Sequence, residues 1–161
     1  MQPPADPRRS PLGGWSPLSQ IMNKRILVAD DDRSVRDALK KVLEEADYDV
    51  IGAVDGEDAE RKFTSETIDL LLLDLDLPKQ NGWNVFGVIN SQNPLLPIVI
   101  ISGLKDQADT DLIPGVSAFL EKPIDVPVLL KTIDGLLQEP AEDRLRKITC
   151  RLQSSRPVSL L

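Results

Sequence analysis

The chain contains no histidine. That absence removes serine–histidine hydrolase chemistry, histidine-ligated metal sites and any phosphohistidine formed within the chain itself. Phosphohistidine chemistry here would have to draw its histidine from a partner. There is a single cysteine, Cys150, so no internal disulfide can form, and its polar neighbourhood suits a free thiol in a reducing compartment. No apolar run approaches the ~20 residues that a membrane-spanning helix requires. Arg8-Arg9 near the N-terminus is followed by Pro11, Gly13, Gly14 and Ser16, not by the apolar stretch of a signal peptide. Together these absences point to a cytoplasmic protein that makes no use of a membrane.

What the chain does have is an ordinary globular composition. Its 161 residues are 41% hydrophobic and 28% charged, enough for one domain with a core and short tails. The charge is unevenly spread. Residues 24–138 hold 22 acids and 12 bases, a balance of -10, while residues 1–23 contribute +1 and residues 139–161 contribute +2. An acidic body repels a phosphate backbone, which argues against direct nucleic-acid binding by the folded part.

Residues 1–23 are rich in proline and lack apolar periodicity, and read as a disordered extension. From Ile26 the pattern becomes regular. Ile26–Ala29, Val50–Val54, Ile68–Leu73, Ile98–Ile101 and Ala118–Leu120 are short apolar, strand-like runs. Between them Val35, Leu39, Val42 and Leu43, then Ala59 and Phe63, then Trp83, Phe86 and Ile89 recur at helical spacing. Leu129, Leu130, Ile133, Leu136 and Leu137 mark a closing helix, with Pro127 tolerable in its first turn. Near-continuous apolar strands alternating with amphipathic helices predict an α/β fold whose parallel sheet is covered on both faces.

In such a sheet ligands bind beyond the carboxyl ends of the strands. The polar clusters fall at those ends: Asp30-Asp31-Asp32, Asp74, Ser102-Gly103 and Lys122-Pro123. Each pair or triplet alone is an ordinary turn or cap, and Asp32 suits the cap of the first helix. Their order, each closing a successive strand, is what carries information. Two carboxylates ~4 Å apart repel by about 4 kcal/mol at an effective dielectric of ~20, and a hard divalent cation such as Mg2+ relieves that repulsion. A carboxylate beside the metal can attack a phosphoryl group, with a lysine and a hydroxyl stabilising the phosphoryl oxygens.

The motifs Arg25-Ile-Leu-Val-Ala-Asp30-Asp31-Asp32, Asp69-Leu-Leu-Leu-Leu-Asp74-Leu-Asp-Leu-Pro78 with Asn81-Gly82, Ile98-Val-Ile-Ile-Ser102-Gly103 and Phe119-Leu-Glu-Lys122-Pro123 resemble the receiver domain of two-component response regulators. The resemblance spans about 24–137. It implies a flavodoxin-like sheet of order 2-1-3-4-5 and a phosphoacceptor at Asp74. It also implies Mg2+ held by Asp30, Asp31, Asp74 and the backbone carbonyl of Asp76. Ser102 and Lys122 would contact phosphoryl oxygens, the Lys122-Pro123 peptide would be cis, and Ser102 with Phe119 would form a switch. The implied partners are a sensor histidine kinase or histidine phosphotransfer protein and a downstream protein target.

Three departures stand out. Phe119 replaces a common tyrosine, the segment between Ser102 and Phe119 is short with Pro114-Gly115 limiting its helix, and Asp76 adds an acid near the acceptor. The second of these bears on the family's fourth-helix partner and dimer surface, and so on oligomeric state. Two other functions compete. Leu70–Asp76 also resembles the first motif of haloacid-dehalogenase-type phosphatases, with Asp74 as nucleophile and Asp76 as general acid, but that leaves Asp30-Asp31 unexplained. The other is a receiver-like binding module that is never phosphorylated. The expected division is an extension over 1–23, a receiver over 24–138 and a tail over 139–161. Glu142–Leu152 forms either a short helix, with Leu145, Ile148 and Leu152 on one face, or a solvated tail. Too little chain follows Leu137 for an output domain, so action by protein contact, as a stand-alone receiver, is the expectation.

Overall fold

The computed structural model describes residues 23–103 and 113–154. Strands β1 (Arg25–Ala29), β2 (Asp49–Ala53), β3 (Leu70–Asp74), β4 (Ile98–Ser102) and β5 (Ala118–Glu121) form one sheet. Every pairing is parallel and the order is β2-β1-β3-β4-β5, as the resemblance implied. Helices α1 (Arg33–Glu45), α2 (Gly56–Ser65), α3 (Gly82–Gln92) and α4 (Val126–Gln138) cover it, and α5 (Ala141–Ser154) follows.

Alternation along the strands divides the core into two layers. Leu27, Leu71, Leu73, Ile98 and Ile100 face Ala59 of α2 and Val85, Phe86 and Ile89 of α3. Ile26, Val28, Leu70, Leu72, Val99 and Ile101 face Leu39 and Leu43 of α1 and Leu129 and Ile133 of α4. Fully burying one such side chain is worth about 1.5–3 kcal/mol, so both faces of β1, β3 and β4 are committed and their register is fixed. The third strand begins two residues later than the apolar run suggested. Asp69 lies outside it, its carboxylate accepting the Arg25 N–H at 2.8 Å at the base of β1.

Side-chain caps start the helices. Asp32 accepts from the Ser34 N–H at 2.8 Å to open α1, Asn81 from Trp83 at 2.9 Å to open α3, and Asp125 from Val128 at 3.1 Å to open α4. The tail docks as a helix. Arg144 donates to the Leu95 and Leu136 carbonyls at 2.8 Å each, and Arg151 donates to the Val116 carbonyl. Of the apolar stripe only Ile148 is partly buried, beside Arg144 and Arg151, whereas Leu145 and Leu152 are about half exposed. Arginine wins that position by satisfying carbonyls left open at the end of α4 and beside β4. Residues 104–112, on which the shortened fourth-helix region depends, lie outside the described residues, as do 1–22.

Asp58 ties the end of β2 to α2. Its buried carboxylate accepts the Val54 N–H at 3.0 Å and pairs with Lys62 at 3.0 Å and with Arg61. Burial alone would raise its pKa, but Lys62, the Val54 N–H and Arg61 together hold it below the usual 3.8. A depressed pKa adds stability that is present above the unfolded value and is lost as pH falls through the folded one. Asp58→Asn should therefore destabilise the domain at pH 7 by about 1–3 kcal/mol. In urea titrations across pH the two proteins should begin to converge as pH falls through the unfolded value and meet only below the lower, folded-state value. A gap that persists in acid would show that the carboxylate's charge contributes nothing.

Candidate functional site

The parallel topology delivers the polar strand ends to one edge. Asp30 and Asp31 follow β1, Asp74 ends β3, Ser102 ends β4 and Lys122 follows β5. Asp30, Asp74 and Ser102 are buried, while Asp31 is exposed. One carboxylate oxygen from each of Asp30, Asp31 and Asp74 lies within 4.8 Å of the others. Lys122 Nζ bridges two of them, 3.1 Å from Asp30 Oδ2 and 2.9 Å from Asp74 Oδ2. The other oxygens of those two acids accept backbone N–H groups: Asp30 Oδ1 from Asp32 at 2.8 Å, Asp74 Oδ1 from Asp76 at 3.0 Å. The Lys122 N–H donates to the Ser102 carbonyl at 3.0 Å, and the Lys122–Pro123 peptide is cis.

Two of the three carboxylates thus share the Lys122 ammonium, and the partners of the Asp30–Lys122 ion pair respond in the same direction on the pKa scale but for opposite reasons. Burial, with the Asp74 charge added, pushes the Asp30 carboxyl up despite the Asp32 N–H and Lys122. Burial would lower the Lys122 ammonium, but its hydrogen bonds and charge contacts with Asp74 and Asp30 outweigh that and raise it. The pair is favourable for the lysine, which faces two anions, and inadequate for Asp30, which faces one cation and another anion. A set of hard oxygen donors with surplus negative charge fits a hard divalent cation. Asp31 offers a free ligand, since its carboxylate accepts no hydrogen bond among the described residues.

A family profile described as the response regulator receiver domain matches residues 26–134. The chain belongs to that family. It is 38% identical over 104 residues to the alkaline phosphatase synthesis transcriptional regulatory protein PhoP of Bacillus subtilis, covering 63% of this chain and 43% of that protein. It is 33% identical over 115 residues to response regulator RR06 of Streptococcus pneumoniae, covering 70% and 52%. The chain thus spans about half the length of the curated relatives it matches. Among solved structures it resembles a CheY-like receiver domain protein of Methanospirillum hungatei at TM-score 0.68 and 26% identity, covering 78% of this chain and 98% of that one. It also resembles TrrA of Thermotoga maritima, solved in complex with Mg2+-BeF, at TM-score 0.63 and 29% identity, covering 70% and 98%.

Within this receiver, Phe119 sits beside Ile100 in the sheet and packs, partly buried, against the α2–α3 layer. Asp76 is exposed just past β3. Sequence reasoning missed three groups. Arg36 donates to the Asp30 and Asp31 carbonyls at 2.7 and 3.1 Å, fixing the backbone of the acidic turn. Its place one turn into α1 was the available signal. Lys79 and Gln80 reach across to α2 and its cap, at 3.2 Å to Asp55 and 2.9 Å to Glu60. Nothing in the local sequence pairs those positions.

Crowded like charges give a stability prediction. Asp31→Asn should raise metal-free stability by about 1 kcal/mol, the repulsion of unit charges roughly 5 Å apart in near-aqueous surroundings. If a divalent cation occupies the cluster, adding one should stabilise the wild type and Asp31→Asn should abolish that gain. Denaturant titrations with and without Mg2+ measure both. A clear loss of metal-free stability would mean that Asp31 is bonded in place rather than repelled.

Proposed function

We propose that this receiver takes a phosphoryl group from a partner's phosphohistidine onto Asp74, with Mg2+ held by Asp30, Asp31, Asp74 and the Asp76 carbonyl. The observation that carries the reading is the Asp30–Asp31–Asp74 cluster, bridged by Lys122 and lying at the carboxyl edge of the sheet. A carboxylate oxygen of Asp74 attacks phosphorus, the P–N bond breaks, and imidazole leaves with the electron pair. The metal would neutralise charge on the acids and the phosphoryl oxygens. Lys122 is already within hydrogen-bond distance of Asp74 and can follow a phosphoryl oxygen as charge develops there. Ser102, buried at the end of β4, supplies the hydroxyl for a second oxygen. The Mg2+-BeF complex of the similar Thermotoga protein supports the same assignment here.

The signal would leave through Ser102 and Phe119. A neutral hydrogen bond contributes about 0.5–1.5 kcal/mol and a charge-assisted one about 1.5–3, so the resulting shift in population is partial. The donor would be a sensor histidine kinase or histidine phosphotransfer protein in the cytoplasm, and the target a protein. No helix among the described residues is long and apolar enough to cross a membrane. Family membership also gives Asp30 and Asp31 a role, which the phosphatase reading could not.

With Mg2+ and acetyl phosphate, the wild type should gain one hydroxylamine-labile phosphoryl group per chain. Asp74→Asn and chelation should each abolish it. Equal labelling of Asp74→Asn would refute the assignment, and a wild type that never labels would favour the binding-module function. In the same experiment Ser102→Ala should still label but lose the NMR shift at Phe119.

A further inference from the structure

The connection from Leu75 to Asn81 joins the acceptor strand to α3, and it is held at its base and at its tip. At the base, the Leu75 N–H donates to the Ile101 carbonyl at 3.3 Å and the Gly82 N–H to the Leu75 carbonyl at 3.2 Å. A Cβ on Gly82 would lie 2.5 Å from Leu75 Cα and 2.8 Å from the Asp74 carbonyl oxygen, so only glycine permits this approach. At the tip, Lys79 Nζ lies 3.2 Å from Asp55 Oδ2, and Gln80 Nε2 donates to Glu60 Oε1 at 2.9 Å.

Lys79 holds this position against its backbone preference. Its φ is +69°, within the left-handed region that residues with a side chain disfavour. Glycine would relieve that strain and would lose the link to Asp55. Asp55 is a firm anchor: it is nearly buried and its Oδ1 accepts the Asp58 N–H at 2.8 Å to cap α2. Both ties lie outside the two core layers, and the Lys79 side chain is largely exposed. They fasten a loop more than they hold a core.

We propose that Lys79 and Gln80 are positioning residues for the metal: by tying the loop tip to α2 and its cap, they fix the backbone at Asp76. The inference rests on the receiver reading, which gives the Asp76 carbonyl to Mg2+. A loop released at its tip would leave the three carboxylates in place and let that carbonyl wander. Metal affinity would fall, and chemistry at saturating metal would be unchanged.

The test is an Mg2+ titration of the full chain, followed by amide NMR shifts. It compares wild type, Lys79→Met, Lys79→Arg and the double variant Lys79→Met with Gln80→Met. An exposed ion pair shifts an equilibrium by up to about fivefold, so Lys79→Met should bind Mg2+ about threefold more weakly and the double variant about tenfold, with Lys79→Arg within about twofold of wild type. Met and Arg are unbranched like lysine, so backbone strain stays constant across the series. Acetyl phosphate labelling of Asp74 at saturating Mg2+ should reach the same extent in all four. Wild-type Mg2+ affinity in the double variant would overturn the positioning role and leave the Asp74 chemistry standing. So would an equal loss of affinity in Lys79→Arg, which would separate the effect from the ion pair. A wild type that binds no Mg2+ would overturn the receiver reading and this inference together.

Discussion

Three carboxylates each place one oxygen within 4.8 Å of the others, Lys122 pairs with two of them, and much of the molecule exists to hold them there. Their repulsion opposes folding, so the scaffold must be stable enough to impose it. The parallel sheet meets that demand by burying both faces of its three central strands. Asp30 and Asp74 then sit at the ends of strands that cannot shift register without turning apolar side chains to solvent.

The backbone around the cluster is fixed by N–H donors, one guanidinium and a close helix approach. N–H groups of Asp32 and Asp76 occupy the outer oxygens of Asp30 and Asp74. Arg36 grips the carbonyls of the acidic turn, and Gly82 lets α3 start close against Leu75. Lys122, placed by β5 and hydrogen-bonded through its N–H to the Ser102 carbonyl, pairs directly with the Asp30 and Asp74 carboxylates. In this arrangement the lysine stands where a metal or a phosphoryl oxygen has most to gain. The site is therefore poised, with its acids only partly compensated until a ligand arrives.

Much of this was legible in the sequence. Apolar runs ending in Asp, Asp, Ser and Lys specify both a buried parallel sheet and the edge at which its chemistry collects, because strand period and strand polarity are local properties. The strand order came with the family resemblance, not from periodicity. What stayed hidden depends on contacts distant in sequence. Asp69 interrupts an apolar run for the sake of the Arg25 N–H, 44 residues away. Lys79 meets Asp55 across 24 residues, in a backbone conformation that its residue type does not announce. The tail helix shows an apolar stripe in sequence, yet docks through Arg144 and Arg151, because open carbonyls at its landing site reward arginine more than leucine.

The central claim is that Lys122 and Mg2+ answer the same excess of negative charge, and the most direct measurement is the Mg2+ affinity of Lys122→Met. Repulsion between an ammonium and a divalent ion roughly 5 Å apart is worth about 1–2 kcal/mol even in near-aqueous surroundings, so removing the lysine should tighten Mg2+ binding by about tenfold. Unchanged or weaker binding in Lys122→Met would contradict the claim, because the cluster's surplus charge would then not be what draws the metal.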